Sequence, residues 1–195
     1  GRADLDADAA TPCEGCGAGN YSAQGASACT PCAAGRVDHD RQASTACAAC
    51  LAGQYSGGGA LPCVDCVAGR ADLDTNPATQ CSMCGVGHFS NASATVCTQC
   101  TAGQNDQDSS AATECVACSA GMYSTAGSSG SAGCVACAVG QYDDDATPAT
   151  KCIVCPVGRY QNTTGRTECS ACVAGTYQSH TAATSCIACG AGRYV

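Results

Sequence analysis

Hydrophobic positions recur along this chain, but neither at the 3.6-residue spacing of an amphipathic helix nor in runs long enough for a buried strand. One phrase repeats instead. A Cys-x2-Cys pair is followed, three residues after its second cysteine, by Gly19, Gly35, Gly53, Gly69, Gly87, Gly103, Gly121, Gly140, Gly158, Gly175 or Gly192. Five residues after that cysteine stand all the aromatic residues: Tyr21, Tyr55, Phe89, Tyr123, Tyr142, Tyr160, Tyr177 and Tyr194. Gly and Cys interrupt the chain too often for helix, and the stretches between them are rich in turn formers. The pattern predicts very short strands meeting as irregular hairpins. The glycine is expected to supply a positive φ or a close backbone approach beneath the ring, and the ring to lie over a disulfide.

The residues between one cysteine pair and the next number 12, 14, 12, 14, 12, 14, 15, 14, 13 and 13, so short and long units alternate with a 34-residue period (Cys13, Cys47, Cys81, Cys115). A fixed period of this kind marks a solenoid or linear array in which each unit touches only its neighbours. Short units carry Ser after the aromatic (Tyr21-Ser22, Tyr55-Ser56, Phe89-Ser90, Tyr123-Ser124). Long units carry an acidic pair, as at Asp38-x-Asp40, Asp72-x-Asp74, Asp106-x-Asp108 and Asp143-x-Asp145, and then Thr45, Thr79, Thr113 or Thr150. The unit at 119–133, with extra Gly and Ser, reads as a slack loop. Residues 1–6 repeat residues 69–74, and 190–195 open a further unit. The expectation is one continuous array over 1–195 that is a window on a longer one.

Composition explains why cysteine must hold such a chain. Hydrophobic residues make up 45% of it, but 38 are Ala and 22 are Cys; Leu, Ile, Val, Met and Phe together number 21, and Trp is absent. That is too little apolar volume for a core of this length, whereas the cysteine density is that of a disulfide scaffold. The net charge of −8, with Lys151 the single lysine, excludes a phosphate-binding face and so argues against nucleic acid and anionic membrane surfaces. No apolar run approaches the length of a membrane span.

Three chemistries compete for the cysteines. Disulfides suit the composition, and spacing alone leaves open a ladder between neighbouring pairs or nested pairs of the type Cys13–Cys29 with Cys16–Cys32. Four-cysteine zinc sites fit two Cys-x2-Cys pairs, yet eleven pairs leave one over, His39, His88 and His180 hold unrelated positions, and zinc arrays of this size are usually basic. Catalytic thiol exchange needs a helix N-terminus to lower a thiol pKa, and no helix is expected. The motif Cys-x2-Gly-x-Tyr/Phe…Cys, as in Cys16-Gly-Ala-Gly-Asn-Tyr21 running to Cys29, resembles the ephrin-receptor-like cysteine-rich repeat and the simplest module of tumour-necrosis-factor-receptor domains. More loosely, the periodic cysteines are similar to those of protist surface antigens. Val37, Ala71 and Asn105 depart from the motif by replacing its aromatic.

The resemblance implies a small disulfide-rich fold, mostly loop, with bridges Cys16–Cys29, Cys32–Cys47, Cys50–Cys63, Cys66–Cys81, Cys84–Cys97, Cys100–Cys115, Cys118–Cys134, Cys137–Cys152, Cys155–Cys169 and Cys172–Cys186. Cys13 and Cys189 are left to pair with units outside. Closing each loop stabilises by about 3 kcal/mol in the chain-entropy picture.

Asn20-Tyr-Ser22, Asn91-Ala-Ser93 and Asn162-Thr-Thr164 are N-glycosylation sequons, and the Ser, Thr and Ala content suits O-glycosylation. Asp72, Asp74 and Asn76, like Asp4, Asp6 and Asp8, set oxygen ligands on alternate residues as in the first half of a calcium loop, but the closing bidentate Glu is missing. Solvated turns that keep the surface acidic are the preferred interpretation. No nucleophile, acid and base recur together, so catalysis is not expected. The function expected is an extracellular structural rod, stalk or fibre, glycosylated and partnered by copies of itself in a filament or surface coat. The alternatives are a ligand-binding receptor or adhesin ectodomain and a zinc array.

Overall fold

In the computed structural model, which describes residues 1–59 and 62–192, each repeat of the phrase is a hairpin. The first pairs β1 (Arg2–Ala3) with β2 (Glu14–Gly15), and the second pairs β3 (Asn20–Tyr21) with β4 (Thr30–Pro31). Before β3 the chain turns tightly: the Asn20 N–H donates to the Gly17 carbonyl at 3.1 Å, and Gly19, third in the turn, has φ of 79°. A turn with positive φ at that position selects glycine. Tyr21 then stands opposite Thr30, and the N–H of Cys32 donates back to the Gly19 carbonyl at 2.9 Å. Twenty-two strands of two residues form eleven such hairpins, and no helix occurs among the described residues. Tyr194 lies outside the described residues.

A two-residue hairpin is not stable alone, and every hairpin after the first is tied by a bridge. Ten disulfides join Cys16–Cys29, Cys32–Cys47 and so on to Cys172–Cys186, with Cα–Cα distances of 5.6–5.8 Å. Cys13, exposed, and Cys189, half-buried, are free. The bridges are the core: the buried hydrophobic residues are cysteines apart from Ala3, Val37 and Ala71. Most of the few large aliphatic side chains are exposed, among them Leu51, Val67, Val86 and Ile187. This fold is a small disulfide-rich repeat array of short hairpins with no closed sheet.

The chain divides into two compact units, Gly1–Gly85 with Phe89–Thr98, and Val86–His88 with Gln99–Val195. The same local rules operate inside each. Hairpins touch more than their immediate neighbours, which corrects the expectation from the period. In the first unit the Ser93 N–H donates to the Cys66 carbonyl at 2.8 Å, and a Cβ on Gly53 would run into the backbone carbonyl of Ser93. In the second, Gly127 stands in the same relation to Cys100 and Gly87. The glycine therefore faces the backbone of the hairpin after next, and its close approach is there rather than beneath its own ring.

Candidate functional site

The positive-φ glycine turns its N–H toward the following hairpin, where a buried donor must find an acceptor. The acceptor comes from the residue six places after the second cysteine of a pair, whose type differs between long and short units. In long units it is the first Asp of the acidic pair. Asp38, Asp72, Asp106 and Asp143 are 5%, 6%, 3% and 4% exposed. Their carboxylates accept from the N–H groups of Gly19, Gly53, Gly87 and Gly121 at 3.4, 3.3, 3.1 and 2.9 Å. In short units the residue is Ser. The Ser56, Ser90 and Ser124 carbonyls accept from Gly35, Gly69 and Gly103, and their hydroxyls donate to the carbonyls of Arg36, Arg70 and Gln104. Ser22 donates likewise to the Arg2 carbonyl at 3.1 Å.

The same residue also reaches forward. The N–H of Asp72 donates to Ala94, that of Asp106 to Ser128, that of Ser56 to Pro77 and that of Ser124 to Pro148. Each of these four residues thus bonds both the hairpin before it and the one after it. In the 13-residue units Gln161 and Gln178 take this place, accepting from Gly140 and Gly158 through their carbonyls.

This assigns the two members of each Asp-x-Asp pair different tasks and corrects the view of both as solvated turn residues: the first is a buried acceptor. The second is exposed and caps its own turn. Asp74 accepts from the Asn76 N–H at 3.0 Å, and the Thr79 hydroxyl lies 2.8 Å from its Oδ2. Asp6, Asp40, Asp108 and Asp145 meet Thr11, Thr45, Thr113 and Thr150 in the same way. The N–H of Asn76, then the Thr79 hydroxyl, hold the Asp74 carboxyl below the ordinary carboxylate range. Asp40 and Asp108 are lowered by the N–H groups of Gln42 and Ser110 and then by their threonines. Between Asp and the turn, Ala7, Arg41, Thr75, Ser109 and Ala146 adopt φ of 53–56°.

The calcium candidates Asp72, Asp74 and Asn76 are therefore parted by the fold: Asp72 is buried against Gly53, while Asp74 and Asn76 cap backbone N–H groups of an exposed turn. Carboxylates converge elsewhere, at Asp143, Asp144 and Asp145, whose oxygens lie within 4.8 Å of one another. Sequence reasoning had marked the outer two of these and passed over Asp144.

Two further expectations change. Ala3, Val37, Ala71 and Asn105, at the aromatic position of long units, are buried. They must be small because backbone arrives there: Ala71 bridges to Ala94. As far as Asn105 the lack of a ring follows the alternation, whereas the long unit of Asp143 keeps one in Tyr142. The loop of the irregular 119–133 unit is held rather than slack. Asn105 donates its amide to the Gly130 carbonyl at 2.8 Å, the Gly130 N–H donates to Asp106, and Asp106 bridges to Ser129. The extra residues bring a carbonyl to Asn105, and a Cβ on Gly133 would strike the Asn105 side chain.

Furrows lie between consecutive hairpins. One, of about 580 Å³, is lined by Val37, Asp38, His39, Arg41, Leu51 and Gln54, and four more measure about 180–300 Å³. Of the sequons, Asn20 lies in β3 while Asn91 and Asn162 lie on exposed turns.

Interlocked, bridge-tied hairpins define a small cysteine-rich repeat module. Residues 145–189 match the family described as tyrosine-protein kinase ephrin type A/B receptor-like. That match and the repeated disulfide ladder fit an ephrin-receptor-like cysteine-rich repeat array. The family is a receptor-like cysteine-rich repeat and not a catalytic domain. A comparison with curated proteins finds no match. No helix among the described residues is long and apolar enough to cross a membrane.

Proposed function

We propose that this chain is a length-giving segment of an extracellular structural protein, a stalk, fibre or surface coat built from bridge-tied hairpins. The observation that carries the proposal is the interlock: Ser22, Asp38, Ser56, Asp72, Ser90, Asp106, Ser124 and Asp143 spend their polar groups on neighbouring hairpins. A recognition module varies such positions to suit a ligand. Here they are Ser or Asp by the short–long alternation and Gln in the two 13-residue units, and each kind accepts from the glycine of the hairpin before. Disulfides supply resistance to unfolding and proteolysis, the exposed acidic turns supply hydration, and the exposed aliphatic side chains supply contact with further copies of the chain. Electron microscopy and light scattering of the secreted chain test this directly. Elongated particles that associate as concentration rises are expected. Compact particles that stay single at every concentration contradict the proposal and favour a receptor or adhesin ectodomain.

A further inference from the structure

The three sequons are alike as sequence and unlike in the fold. Asn20 lies in β3, half-buried, with its amide 3.3 Å from the carbonyls of both Gly17 and Ala18. The hydroxyl of its sequon belongs to Ser22, which is buried and bonded to the Arg2 carbonyl as an interlock residue. Asn91 and Asn162 stand elsewhere, and both at one place in the repeat: seven residues after the second cysteine, Cys84 or Cys155, and one after the interlock residue. Both are exposed, and among the described residues neither carboxamide has a hydrogen-bond partner. Ser93 and Thr164 are exposed too, Ser93 donating to Asp65 at 3.0 Å. Other hairpins show that this position opens outward. Leu73 there is 53% exposed. A Cβ added to Gly57 there meets nothing within 4 Å.

We infer that Asn91 and Asn162 are the N-glycan sites of this chain and that Asn20 is not one. The inference rests on the extracellular proposal above. In the transfer, the carboxamide nitrogen forms a bond to C1 of the sugar of a lipid-linked oligosaccharide diphosphate. The bond from C1 to the diphosphate oxygen breaks, the lipid diphosphate leaves, and the nitrogen gives one proton to a base of the transferring enzyme. Asn91 and Asn162 accept this bulk without loss of any bond in the fold. At Asn20 the glycan competes with the turn that starts the hairpin, and the enzyme cannot grip Ser22 once the interlock forms.

The test is secretion of the chain from a eukaryotic host, followed by intact mass and glycopeptide mapping of the wild type and of Asn91→Gln, Asn162→Gln and Asn20→Gln. Loss of one glycan in each of the first two variants, and none in the third, is expected, with thermal midpoints unchanged in the first two. A glycan on Asn20, or bare Asn91 and Asn162 in a secreted and fully bridged chain, overturns the inference. Retention inside the cell with free thiols overturns the extracellular proposal itself, a different and separately visible result.

Discussion

Long and short hairpins share their turn, their bridge and their glycine, and differ in how they receive the glycine of the hairpin before. Short hairpins receive it with the backbone: the Ser90 carbonyl accepts from Gly69, and the hydroxyl adds a second bond to Arg70. Long hairpins receive it with a side chain, the carboxylate of Asp72 or Asp106. A backbone carbonyl and a buried Asp side chain thus do the same geometric task on alternate hairpins. The lesson is that the two-unit period is set by hydrogen-bond supply and not by loop length alone. A loop three residues longer, between Gly121 and Asp143, keeps the bond at 2.9 Å.

The comparison is broken most severely at the glycine that both kinds of hairpin serve. Gly53→Ala must place a Cβ at φ of 77° and against the Ser93 backbone. The left-handed backbone costs about 1–2 kcal/mol and overpacking about 1–3 more, so guanidinium unfolding of the oxidised chain should show a loss of about 2–5 kcal/mol. Gly158→Ala, at φ of 79° but with nothing near its Cβ, should lose only the first of these. Equal losses at both sites would remove the close approach from the explanation.

Next in size is the acceptor. Asp72→Ala leaves the buried N–H of Gly53 without its carboxylate and should cost about 1.5–3 kcal/mol, the range for bonds to charged groups. Ser90→Ala removes only the hydroxyl bond to Arg70, because its carbonyl remains for Gly69, and should cost about 0.5–1.5 kcal/mol. A larger loss at Ser90 than at Asp72 would reverse the assignment of the two hairpin types.

The smallest effect is the turn beside the interlock. Asp40, Asp74 and Asp108 titrate below the ordinary range in the folded chain. A lowered folded pKa stabilises above the unfolded value, about 3.9, and that contribution is lost as pH falls through the folded values. Thermal midpoints should therefore hold steady above pH about 4.5 and drop below pH about 4. Thr79→Val should make the drop shallower, since it deletes the hydroxyl that helps hold Asp74 ionised.

Much of this was legible in the sequence, and what was not has a physical reason. Cysteine and glycine spacing announced an array of hairpins with positive-φ turns, because both residues are selected by local backbone geometry. Spacing alone left the bridge order open; the pairing came through resemblance to a known repeat. The alternation of Ser and Asp was visible, yet its purpose was hidden because its bonds join residues 19 or 20 apart in different hairpins. Asp38 and Asp40 look equivalent on paper, but the strand ends at Val37 and the chain bends at His39 and Asp40, which leaves Asp38 buried and Asp40 exposed. The constant interval from Gly19 to Asp38, from Gly53 to Asp72 and from Gly87 to Asp106 was the signal that could have exposed the interlock. Asn105 was hidden for a similar reason, since its partner Gly130 lies in an insertion that read as slack.

The central claim is that neighbouring hairpins are tied in a ladder, and non-reducing peptide mapping of the secreted chain tests it most directly. Peptides linking Cys16 to Cys29, Cys32 to Cys47, and each later neighbour in turn are expected. Peptides linking Cys13 to Cys29 and Cys16 to Cys32, or free thiols with a metal that a chelator removes, would contradict it.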